Sequence, residues 1–329
     1  MDFELTHEQQ DLVERAMAAG LEWRQFANRW DIENEAQLAE VTQRMVDLGL
    51  VGITMPTEYG GLGLTALDYV LVVEAVIRAS TTWVAGEPMF RTSGPGVTMC
   101  LSSSNEAVRK KFLPDLVSGR SGAAIAITEP KFGSDMSSLE TTAVRDGDEL
   151  VINGEKKFIT GALEDDLYAT FVRFDDIPGA RGVGAVMIEK GTPGFEMQAG
   201  PTYVGSRGIP HGDLQFKNVR IPVENLLFGA GEFVRLMKAF NMERMHNAAA
   251  SLGSAQAALD EALEYTQQRE QFGRPIVEFQ AVYHDLADMW AAVESARFLV
   301  YRAAATAEGG TMPLPQEVTL AKYVANNVM

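Results

Sequence analysis

Through roughly the first 120 residues apolar side chains recur at three- and four-residue spacing, the signature of helices that bury one face. The pattern predicts helices over 36–48, 66–79 and 105–118. Ahead of Leu12, Val13 and Ala16, the run Thr6-His7-Glu8-Gln9 has capping-box spacing. From about 121 to 225 the period changes to short β-branched and aromatic runs. In "VRDGDELVINGEKKFIT" (144–160) the dipeptides Asp146-Gly147 and Asn153-Gly154 separate three such runs, which predicts antiparallel hairpins and not βαβ units. Helical spacing returns at about 231 in one long proline-free stretch reaching Phe272, and again over 277–308. Within it Ala248, Ala249, Ala250, Ser251, Gly253, Ser254 and Ala255 are small enough to let neighbouring helices approach closely. The final "EVTLAKYVANNVM" is helical in pattern and stops without a capping residue, so the bundle is expected to lack an element. The expected fold is α+β: an N-terminal all-α domain (1–120), a middle antiparallel β-barrel-like domain (121–228) and a C-terminal helical bundle (229–329).

Bulk composition narrows the partners. A chain of 329 residues with 46% apolar content supports two or three packed regions. Its 28 Lys and Arg against 45 Asp and Glu give a net charge of −17, which repels polyphosphate backbones and argues against nucleic acid, while leaving room for a local basic pocket. Cys100 is the single cysteine, so an intrachain disulfide is impossible and no Cys/His metal set is seen. The acidic, polar start is unlike a signal peptide, and no apolar run approaches ~18 residues. A cytoplasmic protein without a membrane span is expected.

Most motif-like features have plain readings. Gly61-Leu62-Gly63-Leu64-Thr65-Ala66 fits the dinucleotide fingerprint, but the second parallel strand that such a unit needs does not follow, and a tight turn is expected instead. His7, His211, His246 and His284 lack ligand spacing, and Met237, Met242 and Met245 read as core filler. No nucleophile elbow or P-loop is present. Two stretches retain chemical interest. In "AAIAITEPKFGSD" (123–135) an apolar run breaks at Thr128-Glu129-Pro130 into a Gly-Ser-Asp turn. Glu243 lies mid-helix between Met242 and Met245. It is either an ordinary carboxylate, exposed or paired with Arg244 or Arg235, or one set against apolar surface, whose raised pKa would suit a general base.

Four stretches together resemble the acyl-CoA dehydrogenase family: "PTEYGGLGL" (56–64), "ITEPKFGSDMSSLETTAVRDGDELVINGEKKFIT" (127–160), "VRIPVENLL" (219–227) and "REQFGRPIVEFQAVYHDLADM" (269–289). They stand in the family's order and spacing and span nearly the whole chain. The resemblance implies the three-domain fold expected above, FAD as cofactor, an acyl-CoA substrate, an electron-transfer flavoprotein or similar acceptor, and a homo-oligomer built as a dimer of dimers. It places Ile125, Ile127, Thr128, Gly133 and Ser134 along the flavin, with Phe158, Ile159 and Thr160 on its other side, Thr160 near N5 and Phe158 where a tryptophan is more usual. Arg269, Phe272, Phe279 and Gln280 match positions that reach the FAD of a neighbouring subunit. Asn241, Met242, Arg244 and Ser134 match acyl-CoA contacts.

The reaction so implied is α-proton abstraction with β-hydride transfer to flavin N5, giving a trans-2-enoyl-CoA. The base would be Glu243, or else a residue on a loop lying beyond Met329. "VGSRGIPHGDLQF" (204–216) and "EQFGRPIVEFQ" resemble the family's sulfinopropionyl-CoA desulfinases. Those non-oxidising lyases carry a non-acidic residue where this chain has Glu243, so glutamate there favours dehydrogenation. A catalytically silent flavin- or partner-binding subunit is the third reading. Finally, "EPMFRTSGPGVTM" (87–99) matches the wall of the acyl cavity. Arg91 is expected either to face solvent or pair with Glu87 one turn away, or to bind an acyl group that ends in an anion.

Overall fold

The computed structural model describes residues 4–307 and 312–329. Seven helices come first: α1 (His7–Arg24), α2 (Ala27–Glu33), α3 (Leu38–Asp47), α4 (Ala66–Ser80), α5 (Glu87–Ser93), α6 (Pro95–Ser102) and α7 (Glu106–Val117). The capping box forms at α1, where Thr6 Oγ1 accepts from Gln9 N–H at 3.2 Å and Gln9 Oε1 accepts from Thr6 N–H at 3.1 Å. α4 is apolar on nearly all sides because it is surrounded by α1, α9 and α10. Close approach is possible only through glycines: a Cβ on Gly20 would meet Val76 O, and one on Gly253 would lie 2.7 Å from Glu74 O. The loop at 61–66 is the expected tight turn, with Gly63 at φ +64° and Thr65 capping α4.

The middle region forms one eight-stranded sheet: β1 (Ala123–Ala126), β2 (Thr142–Asp146), β3 (Glu149–Thr160), β4 (Leu167–Phe174), β5 (Val183–Glu189), β6 (Phe195–Ala199), β7 (His211–Pro222) and β8 (Leu226–Phe228), in the order β6-β7-β3-β2-β4-β5-β8 with β1 beside β4. Pairing is mostly antiparallel, but β1 and β2 both run parallel to β4. Asp146-Gly147 makes the predicted hairpin turn, with Asp146 opposite Glu149. Asn153-Gly154 does not. It lies inside β3 as a bulge, where Gly154 takes φ +146° because a Cβ would lie 2.5 Å from Thr141 Oγ1, and Asn153 Oδ1 accepts from Asn218 N–H of β7 at 2.8 Å. The turn signal is absorbed by a cross-strand bond.

α8 (Phe233–Lys238), α9 (Asn241–Gln268), α10 (Gln280–Ala305) and α11 (Pro315–Val328) close the chain, with a short hairpin of β9 (Glu270–Gln271) and β10 (Arg274–Pro275) between α9 and α10. The long helix expected from 231 is thus interrupted at Ala239-Phe240, both buried in the core beneath the sheet. The helix expected over 277–308 begins at Gln280, and residue 308 lies outside the described residues. Helices, sheet, helices is the order that the pattern predicted, and where the three meet there is a cavity.

Candidate active site

That cavity has a volume of about 330 Å3. The sheet supplies the end of β1 with its exit (Ile125, Ile127, Thr128) and the end of β3 (Phe158, Ile159, Thr160), while the helices supply Glu87, Phe90 and Arg91 from α5, with Phe240 and Glu243 from the start of α9. Asp165, in the turn after β3, completes it.

The wall formed by the sheet is fixed by a buried ion pair. Lys156, fully enclosed in β3, reaches Glu129 Oε1 at 2.8 Å and Ile127 O at 2.9 Å, and Glu129 also accepts from the backbone N–H groups of Glu140 and Thr141 at 2.6 and 2.9 Å. Burial would raise the Glu129 pKa, but the ammonium and these donors hold it below the usual carboxylate range. Lys157 N–H donates to Thr128 O at 2.8 Å, so the two wall segments are laced together. Phe158 then sits at φ +62° in a register shift between Lys156 and Ile159, which turns its ring outward while Ile159 points into the sheet core. Asp213 of β7 secures this strained residue: its Oδ1 accepts from Phe158 N–H at 3.3 Å and its Oδ2 pairs with Lys157 at 2.6 Å.

The helical wall is acidic. Burial raises the Glu243 pKa, opposed by Lys322 and Arg244. Burial likewise pushes Glu87 up to about 7 and Asp165 up to about 6, against the pull of Arg91. Arg91 neither faces solvent nor pairs with Glu87. Its Nη2 lies 2.5 Å from Asp165 Oδ1, an ion pair whose N–H is not aimed along the hydrogen-bond direction. Gly122 makes room for this contact, since a Cβ there would strike both charged groups. Asp165 is 74 positions away in sequence, beyond any helical spacing rule, so no local pattern marks this pair. His246, one turn after Glu243, is a buried packing histidine. Its Nδ1 lies 2.8 Å from Tyr69 Oη, and burial pulls its pKa down to about 3.

Other expected site residues lie elsewhere. Gly133 and Ser134 are exposed on the turn beyond the wall. Asn241 is buried, donating to Pro313 O at 2.9 Å and accepting from Arg244 at 3.2 Å, and Met242 faces a second hollow between α4 and α6. Arg269, Phe272, Phe279 and Gln280 sit at the far end of α9, about 40 Å from Glu243 along the helix. There Phe272 is 93% exposed, with its ring 6.1 Å from that of Phe279. Sequence reasoning missed Asp165, Asp213 and the clamp Lys156–Glu129. No local pattern marks the first two, and only the rarity of a buried lysine could have signalled the third.

The helix–sheet–helix chain thus sets a carboxylate, Glu243, against an apolar wall edged with hydroxyls. Residues 6–120, 124–219 and 233–329 match the N-terminal, middle and C-terminal domains of acyl-CoA dehydrogenase, and the chain belongs to that FAD-dependent family and is an oxidoreductase. It is 35% identical to glutaryl-CoA dehydrogenase of Desulfococcus multivorans over 92% of this chain and 78% of that protein. It is 35% identical to the short-chain-specific acyl-CoA dehydrogenase of Clostridium acetobutylicum over 100% and 86%. Butyryl-CoA dehydrogenase of Megasphaera elsdenii superposes with a TM-score of 0.92 at 32% identity, covering 100% of this chain and 86% of that one. A chain of a structure described as the electron transferring flavoprotein of Acidaminococcus fermentans does so with 0.92 at 33%, over 100% and 86%.

The residues present fit a flavin. Among the described residues the hydroxyls of Thr128, Ser134 and Thr160 make no intrachain hydrogen bond, and Phe158 is 53% exposed. Free donors at the rim of an apolar surface suit a ring system that is flat and edged with acceptors.

Proposed function

We propose that this enzyme dehydrogenates an acyl-CoA thioester between Cα and Cβ with Glu243 as the base. The observation that carries the reading is that Glu243, its pKa raised by burial, opens into the same cavity as Ile125, Ile127, Thr128, Phe158 and Thr160. When bound, FAD supplies the acceptor for the β-hydride.

The protein's part is to hold and deprotonate the substrate. Glu243 takes the α-proton in a space lined largely by apolar side chains, where a carboxylate is a stronger base than in water. Thr128 and Thr160 present hydroxyls that would hold the flavin edge, and Ile125, Ile127 and Phe158 keep water from its face. Lys156 and Glu129 act indirectly, by fixing the wall. Arg244, bonded to Asn241, lies next to the base and partly offsets its raised pKa.

Glu243→Gln should keep FAD and acyl-CoA binding while lowering turnover by about 10³-fold or more, because only proton abstraction is lost. The measurement is bleaching of the flavin on acyl-CoA addition in stopped flow. Near-normal turnover would move the base to another residue. Stable yellow colour in the unmutated protein, with breakdown of a sulfinopropionyl thioester, would favour the lyase chemistry. Electrons would leave to an electron-transfer flavoprotein or a similar acceptor.

A further inference from the structure

Glu87 is a second carboxylate on the cavity wall, on α5, and the reaction proposed above has no use for it. Arg91, on the next turn of the same helix, is the one cation lining this cavity among the described residues, and its charge is taken by Asp165 at 2.5 Å. Glu87 itself makes no side-chain hydrogen bond or ion pair among the described residues. Its other neighbours cannot help. Tyr69 on α4 is committed to His246 at 2.8 Å, no hydrogen bond joins His246 to Glu87 among the described residues, and Glu243 across on α9 is itself an acid.

Glu87 is half-buried on the cavity wall, and a carboxyl that a substrate encloses without giving it a partner is costly. An alkyl chain filling this cavity would strip Glu87 of water and return nothing. A chain ending in a carboxylate would meet Glu87, Glu243, Glu164 and Asp165, with Arg91 already engaged. The group that relieves Glu87 is a neutral hydrogen-bond donor. We propose that Glu87 is a specificity residue that accepts a hydrogen bond from a hydroxyl on the acyl chain, so that the enzyme's substrate class is hydroxylated acyl-CoA thioesters. This rests on the acyl-CoA reading of the cavity. It reverses the anionic-substrate expectation attached to Arg91, because the arginine is neutralised within the chain.

The test uses the FAD-loaded enzyme with three matched series of thioesters: alkyl, hydroxylated at successive positions, and carboxyl-terminated. Two readouts run side by side: kcat/KM with an artificial electron acceptor, and Kd for non-dehydrogenable thioether analogues by titration calorimetry. At least one hydroxylated isomer should exceed its alkyl counterpart by about 10²-fold in kcat/KM, the order expected of one hydrogen bond to a charged acceptor. Glu87→Leu should reverse that ranking, raising kcat/KM for alkyl thioesters, and Glu87→Gln, which keeps an acceptor oxygen, should retain part of the preference. Equal or better binding of alkyl analogues, unchanged in either variant, would overturn the proposal. So would preference for the carboxyl-terminated series. Tight binding with the expected ranking but no flavin bleaching would refute the dehydrogenation and leave the role of Glu87 standing.

Discussion

Glu87 makes the fold's response to pH informative. In the folded protein burial holds this carboxyl near 7 against 4.5 when free, so between those values the folded state binds the proton and the unfolded state does not. Its contribution to stability is therefore present below about pH 4.5 and is lost as pH rises to 7, up to about 3 kcal/mol. Arg91 opposes this shift, while Asp165 adds to it. His246 works the other way, since a ring held neutral in the fold loses stability as pH falls from 6.5 towards 3. The difference between Glu87→Gln and wild type isolates the one group. The variant should gain several degrees in Tm relative to wild type at pH 8 and little or nothing at pH 5. A pH-independent difference would mean that Glu87 is solvated in the fold.

At the scale of elements, the wall formed by β1 and β3 depends on one buried pair. Lys156→Met removes the ammonium and leaves Glu129 enclosed with only its backbone donors, which should cost about 3 kcal/mol and weaken FAD retention about tenfold, because the exit of β1 is no longer tied to β3 at Ile127 O. Thermal melts with and without added FAD measure both effects. The double variant Lys156→Met with Glu129→Gln should recover part of the loss, since the uncompensated charge is gone. If the single variant melts like wild type, the clamp is not what fixes the wall. Gly122 is a second such point. Gly122→Ala would drive a methyl between Arg91 and Asp165 and should lower Tm by several degrees, checked by the same melts.

For the whole molecule, the resemblance to the family predicts assembly. Arg269, Phe272, Phe279 and Gln280 lie too far along α9 to reach the cavity of their own chain, and Phe272, Tyr265, Trp290 and Phe298 are exposed at the end of α9 and along α10. A second copy would cover them and bring the arginine to a flavin phosphate. Arg269→Ala should reduce both flavin content and oligomer size, and Phe272→Asp should give smaller species by light scattering. Full flavin occupancy with unchanged mass in both variants would refute this assembly.

Periodicity by itself determined the order of helices, sheet and helices, because a 3.6-residue or a two-residue apolar repeat is a local property that no distant contact needs to supply. The capping box at Thr6, the turn at Asp146-Gly147 and the close approach of a neighbouring helix to the small residues of α9 were legible for the same reason, though which helix approaches was not. Motif resemblance marked Glu243, Ile125, Ile127, Thr128, Phe158 and Thr160 as one site, and the fold brings these six to one cavity. Tertiary structure decided what local rules could not reach. Asn153-Gly154 became a bulge because β7 offers Asn218 N–H, and the long helix broke at Phe240, where the sheet's core receives both buried residues. Arg91 went to Asp165 instead of Glu87, since a charge withdrawn from water takes the partner that the whole fold places nearest, and that choice left Glu87 without an ion-pair partner among the described residues.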